Sequence, residues 1–312
     1  GWNAHAPMIT SPAPNSMETA ILDGKDLSQK IKGEIAVAVT EWVAQGHRPP
    51  HLAAVLVGQD GASRTYVDHK VKSCAQVGFE STLIERPADI SQKELLEIVA
   101  QLNEDPAIDG FIVQLPLPDH IDDQAVIEAV SPSKDVDGFH PSNMGNLALG
   151  LPGFVPATPA GIVTMLERTG IETAGKHAVV IGRSSIVGTP MSLLLSRSGN
   201  PGNCTVTLCH SRTQDLEAHC RRADILVAAV GRPGMIKANM VKEGAVVIDV
   251  GITRVEDASA KRGFRLKGDV DYADVAPKCS WITPVPGGVG PMTIVSLLNN
   301  TLDAARRSAA AS

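Results

Sequence analysis

The sequence predicts an α/β protein of two domains, each built on a parallel sheet. Three observations carry this. The chain has 312 residues, a length that suggests roughly two domains. Short apolar runs alternate with segments of helical period, as crossover connections between parallel strands require. A stretch rich in Pro, Gly, Asp and Asn, 116–159, separates two such alternating regions.

The elements follow in order. Residues 1–16 read as a leader, because their Pro, Ser and Asn content has neither the basic-then-apolar pattern of a signal peptide nor the arginine of a transit peptide. From 26 to 45, Leu27, Ile31, Ile35, Val39 and Val43 form a helical stripe. Leu52-Ala-Ala-Val-Leu-Val-Gly58 reads as a buried strand. Residues 62–77 read as a helix stopped by Gly78, and 82–84 as a second strand. Ser91 followed three residues later by Glu94 is a capping box that opens a helix to about 103. Gly110-Phe-Ile-Val-Gln-Leu-Pro116 reads as a third strand whose Pro-Leu-Pro ending cannot continue a ladder. Residues 116–159 read as mainly loop and 160–168 as a helix. The second region gives strands at 177–182, 204–209, 224–231, 245–251 and 281–284, with helices at 187–198 and 293–306.

Composition excludes several function classes. The chain is 43% hydrophobic and 20% charged, which is globular rather than disordered. Its net charge of −6 and its 3% aromatic content argue against nucleic acid or an anionic membrane as main partner. No apolar run reaches the roughly 18 residues of a membrane span. Cys74, Cys204, Cys209, Cys220 and Cys279 are odd in number and lack metal-ligand spacing. They indicate a reducing, cytoplasmic compartment without disulfides or structural zinc. No His or carboxylate cluster suggests another metal.

Two motifs carry chemistry. Gly182-Arg-Ser-Ser-Ile-Val-Gly188 links a strand to a helix, a relative of the dinucleotide fingerprint in which Ser184 replaces the middle glycine. The same spacing also serves a tight turn without ligand. At the end of the following strand stands His210-Ser-Arg-Thr213, with no carboxylate before Asp215. An acid there favours NAD; a hydroxyl with Arg212 or Arg183 suits the 2′-phosphate of NADP. Arg212 as a solvated loop charge is the alternative. In the first region, Ser63, Tyr66 and Lys70 share one helix face, either as a reactive set or as a surface tyrosine stacked on a lysine stem. Gln114 interrupts an apolar strand, where it either hydrogen-bonds an amine or substrate, or is a satisfied core group. Asp135 and Asp137 lie in Lys134-Asp-Val-Asp-Gly138, which also fits a simple turn.

Together these stretches resemble the bifunctional methylenetetrahydrofolate dehydrogenase/methenyltetrahydrofolate cyclohydrolase family. The matching segments include Tyr66-Val-Asp-His-Lys70, Val113-Gln-Leu-Pro-Leu-Pro118, Lys134-Asp-Val-Asp-Gly-Phe139, Ala157-Thr-Pro159, the glycine loop through Pro190, Val247-Ile-Asp-Val-Gly-Ile252 and Thr283-Pro-Val-Pro-Gly-Gly-Val-Gly-Pro-Met-Thr293. They run in order over nearly the whole chain from Met17.

The resemblance implies an N-terminal three-layer α/β folate domain, 17–158, completed by a C-terminal helix 291–308. A Rossmann-like NAD(P)-binding domain, 159–290, would follow, with a cleft between the two. It implies Lys70, Tyr66, Gln114 and Asp137 as catalytic residues. Folate would be bound by these and by Ser63, Val113, Leu115, Pro286, Gly287, Gly288, Val289 and Gly290. NADP would be bound by Thr158, Gly182, Arg183, Ser184, Ser211, Ile252 and Thr293. It further implies a small-molecule folate substrate, no nucleic-acid, membrane or metal partner, a homodimer, and roles in one-carbon metabolism. A monofunctional dehydrogenase and a non-catalytic nucleotide-binding module are the competing readings.

Overall fold

The structure, a computed structural model, describes residues 18–58, 60–261 and 263–311. The leader assigned to 1–16 lies outside the described residues. In chain order the elements are β1 (Ala20–Ile21), α1 (Gly24–Ala44), β2 (His51–Val57), α2 (Gly61–Val77), β3 (Glu80–Arg86), α3 (Gln92–Glu104), β4 (Gly110–Val113), α4 (Asp123–Ala129), α5 (Pro141–Leu149) and α6 (Ala157–Thr169). There follow β5 (His177–Ile181), α7 (Gly188–Ser196), β6 (Thr205–Cys209), α8 (Leu216–Cys220), β7 (Ile225–Ala228), β8 (Ala245–Asp249), β9 (Thr253–Glu256), β10 (Phe264–Lys267), α9 (Tyr272–Val275), β11 (Cys279–Ile282) and α10 (Val289–Ala311). The chain forms two compact units: one of residues 25–161 and 291–311, the other of 18–24 and 162–290. Among the described residues no helix is long and apolar enough to cross a membrane.

The first unit carries a three-stranded parallel sheet, ordered β3-β2-β4. Its middle strand, β2, is buried at every position after His51. Val55, Leu95, Val99, Phe111 and Val126 belong to one apolar cluster. The capping box forms as the sequence requires: the Ser91 hydroxyl accepts from the Glu94 amide, and the Glu94 carboxylate accepts from the Ser91 amide. Such a cap is worth about 1 kcal/mol. α2 is capped by Asp60, which accepts from the Ser63 amide, and stops at Gly78 in the left-handed region.

The stretch expected to be mainly loop instead holds α4 and α5. Asp122 caps α4 by accepting from the Gln124 and Ala125 amides. α5 starts with Pro141 in its first turn and stops at Gly150 in the left-handed region. Both helices are too short for periodicity to reveal, and only their caps mark them. β4 also stops at Val113, before Gln114, rather than running to Pro116.

The second unit carries a six-stranded parallel sheet, ordered β1-β11-β8-β7-β5-β6. β7 and β8 are buried throughout, as central parallel strands should be. Val179, Ile181, Leu226, Val247 and Ile282 belong to its core. Ala20 and Ile21, inside the range 17–158 expected for the N-terminal domain, pair with Trp281 and Ile282 of this sheet. Two residues give no periodic signal, so only the pairing assigns them. The antiparallel pair β9–β10 was likewise unexpected. Its alternation is hidden by charge, the Arg254 guanidinium lying 4.5 Å over the Phe264 ring.

Candidate active site

In the first unit, β2 leads into α2 and β4 leads into Gln114, so both deliver residues beyond the carboxyl ends of neighbouring parallel strands. This is where open α/β sheets place ligands. Lys70 is only 8% exposed. Its Nζ donates to Gln114 Oε1 at 3.1 Å, and Gln114 Nε2 donates to the Leu115 carbonyl at 2.8 Å. The Gln114 amide is thereby fixed with its oxygen towards the amine. Of the two readings left open by sequence, an amine partner for Gln114 is the one observed. Ser63 is buried on the same helix, while Tyr66 is 37% exposed. The lysine is therefore no surface stem.

The two aspartates of the 134–138 segment divide their tasks. Asp135 is buried and accepts from the Phe139 and His140 amides and from Asn143 Nδ2, at 3.1, 2.8 and 2.8 Å. It ties the turn to the start of α5. Asp137 is half-buried and interacts electrostatically with Lys70. Burial pushes its carboxyl above the usual range, and the Lys70 charge opposes that rise. Asn300 of α10, which the sequence reading missed, donates to the Val136 and Val155 carbonyls at 2.8 and 3.1 Å. An amide in the middle of an apolar helix was the available signal. Thr158 and Thr293 share a hydrogen bond of 3.0 Å and lie in this unit, not with the glycine loop.

Burial drives the Asp135 carboxyl up to about 6 despite its three donors. The folded value then exceeds the unfolded one of about 3.9. The resulting stability is complete below the unfolded pKa and is lost as pH rises through about 6. Asn at this position does not titrate. The stability gap between the native protein and Asp135→Asn should therefore narrow by up to about 3 kcal/mol between about pH 4 and pH 7. Urea unfolding across that range measures it; a widening gap contradicts the assignment.

In the second unit, β5 runs through Gly182 into an exposed loop holding Arg183, Ser184 and Ser185, then into α7. Gly182 has φ +113°, and a Cβ there would lie 2.1 Å from the Ala229 carbonyl oxygen. A Cβ on Gly188 would lie 1.8 Å from the Gly182 oxygen. Both positions admit only glycine. The Ser184 hydroxyl accepts from the Val187 amide at 3.2 Å, standing where the usual motif has glycine. β5 and β6 are in register, Ile181 beside Cys209, so Gly182 and His210 leave the sheet side by side. The His210 amide donates to Thr213 Oγ1 and the Thr213 amide to the His210 carbonyl. This turn holds Ser211 and Arg212 exposed. Pro286, Gly287, Gly288, Val289 and Gly290 also fall in this unit, with Gly290 against Ile252.

Family models match both regions: "tetrahydrofolate dehydrogenase/cyclohydrolase, catalytic domain" over 22–137, and its "NAD(P)-binding domain" over 156–309. The chain belongs to this tetrahydrofolate dehydrogenase/cyclohydrolase family. Among its relatives, the bifunctional protein FolD of Porphyromonas gingivalis is 61% identical, over 93% of this chain and 99% of its own. That of Bacteroides fragilis is 59% identical, over 92% and 98%. Among solved structures, the bifunctional FolD enzyme of Campylobacter jejuni is 46% identical with TM-score 0.87, over 93% of this chain and 99% of its own. The Trypanosoma brucei dehydrogenase-cyclohydrolase, complexed with NADP cofactor and inhibitor, is 40% identical with TM-score 0.88, over 94% and 99%. As a member of this family, the chain is a bifunctional methylenetetrahydrofolate dehydrogenase and methenyltetrahydrofolate cyclohydrolase with an NAD(P)-binding domain. A non-catalytic nucleotide-binding module does not describe it.

Proposed function

We propose that the enzyme oxidises 5,10-methylenetetrahydrofolate with NADP and then hydrolyses the methenyl product to 10-formyltetrahydrofolate, with Lys70 as the proton-transfer group of the second step. The Lys70–Gln114 hydrogen bond carries this reading. NADP fits the second unit on its own terms. The loop after β5 is closed to any Cβ at both glycines, and a guanidinium and a hydroxyl stand exposed at Arg183 and Ser211. The Trypanosoma brucei relative is described with NADP. When bound, the nicotinamide supplies the hydride acceptor. Backbone amides of 183–188 and the α7 N-terminus would hold the pyrophosphate. Arg183 and Ser211 would hold the 2′-phosphate, with Gly182, Ser184 and Ile252 as further contacts in the same unit.

For the second step, Tyr66 packs against the folate and Asp137 holds the pterin edge. Ser63, Val113 and Leu115 shape the remaining folate site in the first unit. Water attacks the bridging carbon of the cationic methenyl form and gives one proton to Lys70 Nζ. The bond from that carbon to N5 then breaks as N5 takes a proton from Nζ, and the hydroxyl proton leaves to solvent, so one proton is released overall. An amine accepts a proton only when uncharged, and a cationic substrate beside it favours that form. Gln114 orients the amine. The neighbourhood of Lys70 is complete, which favours two activities over a monofunctional dehydrogenase.

The test is to assay NADP-dependent oxidation and methenyl hydrolysis in parallel on the same preparation. Both activities are expected, and absence of hydrolysis contradicts the reading. Cofactor choice is tested by Ser211→Asp: a carboxylate beside the 2′-phosphate should lower kcat/KM for NADP by about tenfold or more and improve use of NAD. An unchanged preference removes Ser211 from the site. We further infer a cytoplasmic homodimer. β3 leaves one edge of the first sheet unpaired among the described residues, and such edges invite pairing with a second chain. Sedimentation equilibrium checks it.

A further inference from the structure

Two carboxylates in the second unit are used by none of the roles above. Asp249 ends β8 and is buried; Asp269 follows β10 and is fully buried. Asp249 Oδ1 accepts from the Gly251 and Asp269 amides at 3.0 and 2.9 Å, and its Oδ2 from the Val270 amide at 2.9 Å. Asp269 Oδ2 accepts from the Val230 and Gly231 amides at 2.7 and 3.1 Å, and its Oδ1 from the Arg232 amide at 2.7 Å. Three consecutive amides turned to one anion form a nest of the kind that binds phosphate. Here the chain fills it with its own side chain.

The two residues are joined in series. Asp249 holds the backbone of Asp269, and Asp269 holds the loop leaving β7. Asp249 at the same time holds Gly251, at the turn leaving β8 towards Ile252. The contact is tight, since a Cβ on Gly268 would lie 1.9 Å from Asp249 Oδ2. Both loops leave the carboxyl ends of adjacent parallel strands, β7 lying beside β5, which runs on into Gly182. Ala229, one residue before the clasped amides, presents the carbonyl against which Gly182 is packed. Displacing the 230–232 loop therefore displaces the floor of the glycine loop. Gly231 and Arg232 themselves are exposed.

We infer that Asp249 and Asp269 form a clasp that positions the loops after β7 and β8 for the dinucleotide, and that they act as positioning residues of the dehydrogenase half-reaction only. This rests on the proposed site for NADP around Gly182. It goes beyond that reading in assigning a role to two residues that do not touch the cofactor.

The bifunctional enzyme provides its own control, because methenyl hydrolysis consumes no dinucleotide. Asp269→Asn keeps shape but turns an amide donor towards donors. In the full chain it should raise the NADP dissociation constant and the KM for NADP by about tenfold or more. Its saturated kcat should fall less than threefold, and hydrolysis should change by less than twofold. Asp249→Asn should show the same split, and serves if the first variant does not fold. In the unaltered enzyme without cofactor, the amides of Val230, Gly231 and Arg232 should exchange with solvent as slowly as those of β7. NADP affinity within twofold of native in a folded variant overturns the proposal. So does a parallel loss of both activities, or rapid exchange of those three amides. Failure of the native enzyme to bind NADP would instead strike the site proposed at Gly182.

Discussion

Lys70→Met is expected to lower methenyl hydrolysis by a factor of about 10²–10⁴, the usual worth of positioned proton transfer. NADP-dependent oxidation should stay within about tenfold of native, because that step draws on geometry and the cofactor rather than on an amine. The methenyl compound should accumulate and be visible by its absorbance. Methionine matches the length of the buried stem but leaves Gln114 Oε1 without its donor, a cost of about 1–3 kcal/mol. It also removes the cation that opposes the rise of Asp137, so Asp137 should hold its proton to higher pH in the variant. Equal loss of both activities would mean that Lys70 supports the fold rather than the reaction.

Gly188→Ala should produce the opposite split. The added methyl would fall 1.8 Å from the Gly182 oxygen and 3.0 Å from the Arg183 amide nitrogen. These are backbone atoms, so the loop itself must move. Gly182 has little room to yield: it sits at φ +113°, and the Ala229 carbonyl oxygen stands 2.1 Å from where a Cβ would be. NADP affinity is expected to fall by about 100-fold or more, equivalent to about 3 kcal/mol. Hydrolysis of supplied methenyl substrate should persist, because Lys70, Gln114 and Asp137 lie in the other compact unit. Titration calorimetry with NADP and the hydrolysis assay together read this out.

Sequence and structure agree where a local rule acts alone. The capping box at Ser91 and the left-handed stop at Gly78 needed no tertiary information. The glycine loop was legible because strand, turn and helix follow one another directly. Spacing placed Tyr66 and Lys70 on one face, but it could not bring Gln114 to the amine, since that contact joins residues 44 positions apart. Nor could it separate Asp135 from Asp137: both sit in one short motif, and only the start of α5 shows which of them is consumed by backbone amides. α4 and α5 escaped detection because their few turns carry caps but little apolar period. β1 and the Asp249–Asp269 clasp escaped for another reason. A two-residue strand and a carboxylate at the end of an apolar run acquire meaning only from partners supplied elsewhere in the chain.

The central claim is that the Lys70 amine, fixed by Gln114, stands at the carbon that changes oxidation state and is then hydrolysed. A crystal structure of the enzyme with a bound folate analogue tests it most directly. The account predicts Lys70 Nζ within about 4 Å of the analogue's bridging position, close enough to reach it or one intervening water. An analogue seated with that position out of reach of the amine would contradict it.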